Sequence, residues 1–398
     1  MTDTTSPAAP GLTRSLTVVF AITAGAAVGN LYWAQPLLVQ MASDLGVAPT
    51  ATGLLVTMTQ IGYALGILLV VPLGDSLARH RLIPAVLGVS VLALLASALA
   101  PGFVLLAVAL ALVGLSSVAG QIIIPLVGDL ATPVERGRAV GTVVSGALIG
   151  ILVARTVSGL IAAALGWRAV YGVAALITVV MLVLIARALP VLPGRATTPY
   201  PRLIVSVLTT TFGIPAARWL LLIAGCFFAV FNLFWTAATF LLNAAPFGYS
   251  TAQIGLVSLV GIGGAVAALR VGALEDRGVG YPALGAFGAI ALLGMGITWF
   301  GAASLWPILV GGLLLNIGIQ GAGVLTQARL LALTPDARSR LNSALVTSNF
   351  VFGAAGSALA AALWGWGGWS AVVAAGVAIL GLGLVAWAGA RRSLTASH

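Results

Sequence analysis

Arg155 is the residue of this sequence whose type and position point most directly to binding chemistry. It lies inside an apolar run over residues 139–164, and no Asp or Glu lies deep inside any such run. It is about ten residues, or roughly 15 Å of helix, from one end, which is near the middle of a hydrocarbon core. A guanidinium there needs Asn, Gln, Tyr, carbonyl, water or substrate partners. Two interpretations stay open: a clamp between helices and a contact with an anionic substrate.

Amide and aromatic side chains recur inside other apolar runs and could line a binding cavity. Asn316, Gln320 and Gln327 follow helical spacing and share one face of their run. Polar groups in such runs are costly, so they face a cavity or bond a neighbouring helix at about 0.6 kcal/mol each. The predicted substrate-binding residues are Asn30, Trp33, Gln60, Gln121, Arg155, Asn232, Trp235, Asn316 and Gln320.

The residues that most enzyme and nucleotide sites require are missing from the sequence. It has no lysine, which excludes a Walker A loop and a Schiff base. His80 and His398 lack the neighbours of a metal site or a catalytic triad. Cys226 is the single cysteine, so an intramolecular disulfide is excluded. We expect no enzymatic activity, no cofactor and no metal.

Twelve apolar runs of about 20 residues, each long enough to cross a bilayer, must position these side chains. The chain is 61% hydrophobic and 7% charged, whereas soluble domains have about 25% charged residues. The predicted spans cover residues 15–38, 51–72, 82–100, 103–127, 139–164, 168–189, 218–242, 252–271, 281–300, 304–330, 341–364 and 369–390.

The second half of the chain repeats the first at a fixed offset of 202 residues. The pattern Asn30-Leu31-Tyr32-Trp33 returns at Asn232-Leu233-Phe234-Trp235, and Gly166-Trp167 returns at Gly368-Trp369. Such a tandem copy predicts two similar membrane bundles that face each other and enclose a pathway. We therefore predict an all-α membrane protein with twelve transmembrane helices in two parallel six-helix repeats.

The Pro-rich segment 190–217 is the one long polar interruption and is predicted to link the halves. The predicted organisation is an N-terminal tail at 1–14, a bundle at 15–189, the linker at 190–217, a bundle at 218–390 and a C-terminal tail at 391–398.

The arginines are distributed unequally between the two sets of loops. All eighteen basic residues are Arg, and sixteen of them fall in the termini and alternate loops, while the other loops carry only Arg168. The positive-inside rule therefore puts both termini in the cytoplasm and the protein in the cytoplasmic membrane. The net charge of +10 then reflects topology, so no nucleic-acid partner is expected. The expected partners are the lipid bilayer and a small-molecule substrate, and we expect a monomer.

Two loops carry a motif that resembles a known family. Asp75 and Arg79 lie in Val71-Pro72-Leu73-Gly74-Asp75-Ser76-Leu77-Ala78-Arg79-His80-Arg81. This is similar to the Gly-x-Leu-Ala-Asp-Arg-x-Gly-Arg-Arg loop of the major facilitator superfamily, although Val71 and Ala78 replace glycines. Residues 272–280, with Asp276 and Arg277, resemble the same loop. The resemblance covers almost the whole chain.

The resemblance, together with the attraction of a carboxylate to a helix N-terminus, gives these loops an expected role in closing the cytoplasmic side. Asp75 is predicted to contact the start of span 11, and Asp276 the start of span 5. Ordinary topology charges on solvated loops are the alternative. The predicted gating residues are Asp75, Arg79, Asp129, Arg136, Asp276, Arg277 and Arg338, with Arg79 expected to pair with Asp129.

The resemblance also implies a function, a secondary transporter whose halves rock around a central cavity lined by spans 1, 4, 7 and 10. Asn30-x-Tyr32-x-x-Gln35-Pro36-Leu37 resembles the bacterial efflux branch of drug and sugar exporters, which favours export of a small amphipathic organic molecule. The alternatives are an organic-anion importer or uniporter organised around Arg155 and a receptor that does not transport. Proton antiport is a family expectation that the residues support poorly, since a deep carboxylate is missing and the antiporter motif of span 5 is matched only by Gly146, Gly150 and Gly159.

Overall fold

The computed structural model describes residues 12–132, 134–191 and 199–391, without the side chains of Asp75, Asp276 and Pro335. No β-strand occurs in these ranges. The spans are span 1, Arg14–Gly29 continued by the turn Gln35–Leu37; span 2, Gly53–Leu69; span 3, Arg79–Ala98; span 4, Phe103–Ser116 and Ala119–Leu130; span 5, Arg136–Leu165; span 6, Trp167–Ala188; span 7, Pro215–Asn243; span 8, Thr251–Val257 and Ile262–Asp276; span 9, Gly280–Ile297; span 10, Leu305–Ala332; and spans 11 and 12 within Arg338–Gly389. Short helices are Leu38–Leu45, Leu73–Ser76 and Tyr200–Gly213.

Twelve spans are present among the described residues, so the predicted fold is confirmed. Ten helices are long and apolar enough to cross a membrane. One of them, Arg338–Gly389, reverses direction at Gly368, where φ is 62° and ψ is −151°, and so contains two spans. Gly166 has a φ of 83° at the matching turn of the first half. Because a positive φ strains any residue with a Cβ atom, the repeated Gly-Trp pair marks the same turn in both bundles.

Span 1, predicted over residues 15–38, is not one continuous helix. Its regular helix ends at Gly29, and the backbone then tightens into a turn in which the Tyr32 N–H donates to the Gly29 carbonyl at 2.9 Å. The cause is Pro36, which has no N–H for the Tyr32 carbonyl and whose ring opposes a helix there. The repeat has Ala238 at the matching position, and span 7 is continuous.

The two halves pack tightly at the end of the bundle that lacks the arginine-rich loops, here called the opposite end. A buried apolar cluster there draws on both halves and contains Ala34, Leu38, Val56, Phe240 and Ala361. Spans 5 and 8 approach through their backbones, since a side chain on Gly159 would lie 2.4 Å from the Thr251 carbonyl oxygen. Thr57 Oγ1 lies 2.9 Å from Ser357 Oγ across spans 2 and 11. The opposite end is therefore closed.

The halves separate towards the end that carries the arginine-rich loops. An apolar groove of about 480 Å³ lies between spans 5 and 8, and one of about 390 Å³ lies between spans 2 and 11. A third cavity, of about 290 Å³, lies between the halves, next to the loop of Arg79 and the start of span 11 at Arg340, and its lining mixes apolar side chains with polar ones. We call it the polar cavity, because the two grooves are almost entirely apolar. The molecule is thus open at its arginine-rich end.

The linker contains a helix, Tyr200–Gly213, that the sequence analysis does not predict. Leu203 and Val207 line the polar cavity. The Tyr200 hydroxyl donates to the Leu69 carbonyl at 2.5 Å, and Arg340 Nη1 donates to Thr210 Oγ1 at 3.3 Å. The helix is therefore bonded to span 2 of the first half and span 11 of the second, across the open end.

Candidate functional site

Arg155 is buried at the junction of the two halves and is surrounded by aromatic rings. Its side chain is 1% exposed. The Cζ atom lies 4.8 Å from the ring centre of Tyr32 in span 1, and 5.0 and 4.7 Å from those of Phe231 and Trp235 in span 7. We call Arg155, Tyr32, Phe231 and Trp235 the Arg155 cluster. Arg155, a residue of the first half, thus makes cation–π contacts with rings of both halves.

The aromatic faces leave hydrogen-bonding groups of this cluster without partners. Arg155 Nε and Nη2 have no acceptor among the described residues, and neither has Trp235 Nε1. A buried donor without an acceptor costs about 1–3 kcal/mol, and more when it is charged, whereas a desolvated cation–π contact contributes about 2 kcal/mol. The rings therefore stabilise the charge but do not replace its hydrogen bonds. An anionic acceptor would complete the site.

Two predicted binding residues bond each other across the halves. Gln60 Nε2 of span 2 donates to Asn232 Oδ1 of span 7 at 2.8 Å, and both side chains are fully buried. Asn232 Nδ2 also donates to the Phe228 carbonyl at 3.1 Å. In this conformation the pair joins the bundles.

Asn30 and Trp33 bond each other locally. Trp33 Nε1 donates to Asn30 Oδ1 at 2.9 Å, within the turn that ends span 1. Asn316 Nδ2 in span 10 donates to the Gly312 carbonyl one turn earlier at 2.7 Å. These three residues are buried, and their described bonds stay within their own spans.

Gln121 and Gln320 are partly accessible. Gln121 lines the polar cavity, and its Nε2 donates to the Tyr63 hydroxyl at 3.3 Å. Gln320 is half-buried on span 10, and its Cγ atom would lie 2.9 Å from a side chain on Gly264. Gln121 is therefore the predicted binding residue that reaches the cavity open at the arginine-rich end.

A continuous line of aromatic rings connects that cavity to the Arg155 cluster. The ring centres of Tyr63 and Phe350 are 4.3 Å apart, those of Phe350 and Phe228 are 5.0 Å apart, and those of Phe228 and Phe231 are 5.6 Å apart. We call Tyr63, Phe350, Phe228 and Phe231 the aromatic chain. Its members come from spans 2, 11 and 7, so it fills the space between the halves beneath Arg155.

The predicted gating residues lie at the arginine-rich end. Arg79 Nη1 is 2.8 Å from Asp129 Oδ2, the pair expected from the sequence, and Arg79 Nε donates to the Gly74 carbonyl at 2.9 Å. Arg338 Nε donates to the Leu331 carbonyl at 3.3 Å. Arg136, Arg277 and Arg338 are exposed. The side chains of Asp75 and Asp276 lie outside the described part, so their role stays a prediction.

Two groups of residues were missed by the sequence analysis. Tyr32 and Phe231 complete the Arg155 cluster, and the only sequence signal for Tyr32 was its place between Asn30 and Trp33. Glu275 Oε1 lies 3.0 Å from Arg329 Nη2 at the arginine-rich end of spans 8 and 10. At the 202-residue offset these two residues correspond to Leu73 and Val127 of the first half, so comparison of the repeats gave no signal for this pair.

Asp44 forms a charged contact at the opposite end, within the first half. It accepts hydrogen bonds from Arg168 Nη1 and, at 3.0 Å, from Trp167 Nε1. The Arg168 guanidinium, together with the indole N–H, holds the pKa of the Asp44 carboxyl below its usual value. Asp44 therefore stays ionised at neutral pH.

Comparisons with known proteins agree on one family. The family model that matches the chain, over residues 19–332, is described as the Major Facilitator Superfamily. A protein of Escherichia coli O157:H7 named "Uncharacterized transporter YgaY" is 38% identical over 377 residues, which cover 94% of this chain and 95% of YgaY.

Solved structures share the architecture at lower identity. A bacterial homologue of the human lysosomal transporter Spinster superposes with a TM-score of 0.79 at 14% identity, covering 96% of this chain and 98% of the homologue. The human organic anion transporter MFSD10 superposes with a TM-score of 0.71 at 17% identity, covering 94% of this chain and all of that one.

Proposed function

This chain belongs to the major facilitator superfamily of membrane transporters, and we propose that it moves a small amphipathic organic anion across the cytoplasmic membrane by alternating access. The proposal makes it a secondary transporter without a nucleotide site. The two bundles rock against each other, and the substrate binds between them.

The observation that carries the proposal is the unfilled bonding capacity of Arg155. Its Nε and Nη2 donors are buried without acceptors. The described Asp and Glu residues lie in loops or near the ends of helices, and Asp129 is paired with Arg79. A substrate anion is the group that could reach the cation from outside and satisfy it. MFSD10, which shares the fold, is described as an organic anion transporter.

Replacing Arg155 tests whether the substrate is an anion. Arg155→Lys keeps the charge but loses the planar fork, and Arg155→Gln loses both. We expect affinity for organic anions to fall in the order wild type, Lys, Gln, with a total loss of about 10- to 100-fold and a salt-sensitive second step. The measurement is a thermal-shift screen of small organic anions and cationic drugs on purified protein, followed by uptake into proteoliposomes.

Arg187→Gln is the matched control, because it removes an exposed guanidinium from the end of span 6 and should leave anion affinity unchanged. Normal anion binding by Arg155→Gln, or stabilisation by neutral or cationic compounds alone, would make Arg155 a structural clamp and refute the proposal.

The proposal also covers the orientation of the protein in the membrane and the direction in which it moves its substrate. The arginine-rich end faces the cytoplasm by the positive-inside rule, so both termini are cytoplasmic and this conformation opens inward. The resemblance of Asn30–Leu37 to the efflux branch supports export. Proton coupling has weak support, because the two candidate carboxylates, Asp44 and Asp129, are already bound to arginines. The protein is proposed to act as a monomer.

A further inference from the structure

The two unpartnered donors of Arg155 share one edge of the guanidinium group. Nε–H and the neighbouring N–H of Nη2 point in the same direction in the guanidinium plane, as the two prongs of a fork. The two oxygens of one carboxylate match that fork, which is the geometry of bidentate arginine–carboxylate pairs. Both atoms lack partners at once, so a single planar carboxylate would satisfy them together.

A third unpartnered donor belongs to the same cluster. Trp235 Nε1 is buried without an acceptor, on the ring that lies 4.7 Å from Arg155 Cζ. The side-chain nitrogen and oxygen of Gln35 are also without partners. Gln35 is three residues beyond Tyr32, and its carbonyl accepts from Thr239 Oγ1 at 2.9 Å, one helical turn beyond Trp235. Donors are thus concentrated where spans 1, 5 and 7 meet.

The surroundings of these donors are aromatic. Three rings face Arg155, and the aromatic chain extends from Phe231 to Tyr63, with successive ring centres 4.3 to 5.6 Å apart. A pair of stacked rings contributes about 0.5–1.5 kcal/mol of stabilisation in addition to the hydrophobic free energy of the area that it buries. A ligand that approached Arg155 along the aromatic chain would separate these rings, and an aromatic ligand would replace each ring contact that it breaks.

We propose that the transported anion is an aromatic carboxylate, whose two carboxylate oxygens bind the Nε and Nη2 edge of Arg155 and whose ring stacks among Tyr32, Phe231 and Trp235. This inference rests on the proposed function and narrows its substrate class. The donors are shielded in the present conformation, so the carboxylate reaches them when spans 5 and 7 separate and is enclosed when the rings close again. Trp235 Nε1 donates a third hydrogen bond to the bound group.

The test measures the affinity of the purified full-length protein for benzoate, cyclohexanecarboxylate and benzamide by calorimetry. Benzoate should bind about 2- to 10-fold more tightly than cyclohexanecarboxylate, which has the charge without the aromatic ring. Benzamide, which has the shape without the charge, should bind at least 10-fold more weakly than benzoate. This comparison uses the wild-type protein alone.

Two variants then separate the role of the indole N–H from that of its ring. Trp235→Phe keeps an aromatic ring but removes the N–H, and it should weaken benzoate binding by about 10-fold. Trp387→Phe is the control, because its Nε1 already donates to the Tyr281 carbonyl at 3.1 Å, away from the cluster, and benzoate affinity should not change.

Equal affinity for benzoate and cyclohexanecarboxylate would overturn the aromatic assignment and leave the proposed function intact. Binding of an alkyl phosphate but of neither carboxylate would overturn the carboxylate assignment in the same way. If the wild-type protein binds no anion of any kind, the proposed function itself fails.

Discussion

At the scale of single residues, the bond between Gln60 and Asn232 joins the two bundles. Gln60 Nε2 and Asn232 Oδ1 are 2.8 Å apart on spans 2 and 7, and both side chains are fully buried. Gln121 makes a similar bond to Tyr63, but both of these residues belong to the first half. The first bond must break or rearrange when the halves separate, whereas the second can persist.

Gln60→Leu should therefore shift the balance of conformations towards opening of the opposite end. A hydrogen bond between membrane helices contributes about 0.6 kcal/mol and at most about 1.7 kcal/mol, so the open fraction should rise about 3- to 18-fold. The measurement is the rate at which a maleimide labels a cysteine placed at Val56, which is buried in the closed cluster, in a chain with Cys226→Ala. Gln121→Leu is the control, and an equal rise in labelling for both variants would contradict the inter-half role.

At the scale of helices, spans 5 and 8 can approach closely because glycine, which has no side chain, lies at their contact. A Cβ atom added to Gly159 would lie only 2.4 Å from the Thr251 carbonyl oxygen. A Cβ atom added to Gly141, on the same span, would have no atom within 4 Å. The three atoms nearest to a Cβ atom at Gly159, two of Thr251 and one of Gly255, are all backbone atoms, which cannot turn aside as a flexible side chain can. This contact sets the point from which the two helices diverge.

Gly159→Ala should destabilise the closed opposite end by about 1–3 kcal/mol, the typical cost of overpacking. Gly141→Ala adds the same methyl group to open space and should be neutral or stabilise span 5 by up to about 1 kcal/mol. Thermal unfolding of the two variants in the same detergent measures the difference. Similar melting temperatures for the two variants would contradict the prediction that close packing at Gly159 stabilises the protein.

The helices show how far the sequence could predict this structure. Apolar run length and the repeated Gly166 and Gly368 turns predicted twelve spans, because those signals are local. The repeat also predicted two similar bundles, but the backbone differs after Asn30 and Asn232, because Pro36 interrupts span 1 and its counterpart Ala238 lies in a continuous helix. Burial of Arg155 followed from its position in span 5, but its rings did not, since they depend on which faces of spans 1, 5 and 7 meet in three dimensions.

At the scale of the whole molecule, the two loop aspartates of the repeat, Asp75 and Asp276, occupy corresponding places in the two bundles. Asp75 lies in the short helix Leu73–Ser76 after span 2, and Asp276 ends span 8. Gly74 and Arg340 line the same polar cavity, so the loop of Asp75 and the start of span 11 face each other across the open end. Closure of that end would bring a carboxylate towards a helix N-terminus, where it is stabilised by about 0.3–1 kcal/mol.

Asp75→Asn and Asp276→Asn should each slow transport strongly and increase the labelling of cysteines at the arginine-rich end, with normal expression and folding. Transport and labelling like those of the wild type in both aspartate variants would show that the loops carry only topology charges.

The two apolar grooves have a consequence for the membrane itself. The lining of both grooves is almost entirely apolar, so in a bilayer we expect acyl chains to occupy the space between spans 5 and 8 and between spans 2 and 11 and the protein to be wider in one leaflet than in the other. Closing the arginine-rich end expels those chains, and opening the opposite end widens the protein in the other leaflet. In the proposed alternating access, each change of conformation therefore exchanges work with the lateral pressure of the lipids, and the spontaneous curvature of the bilayer becomes one of the forces that set the resting conformation.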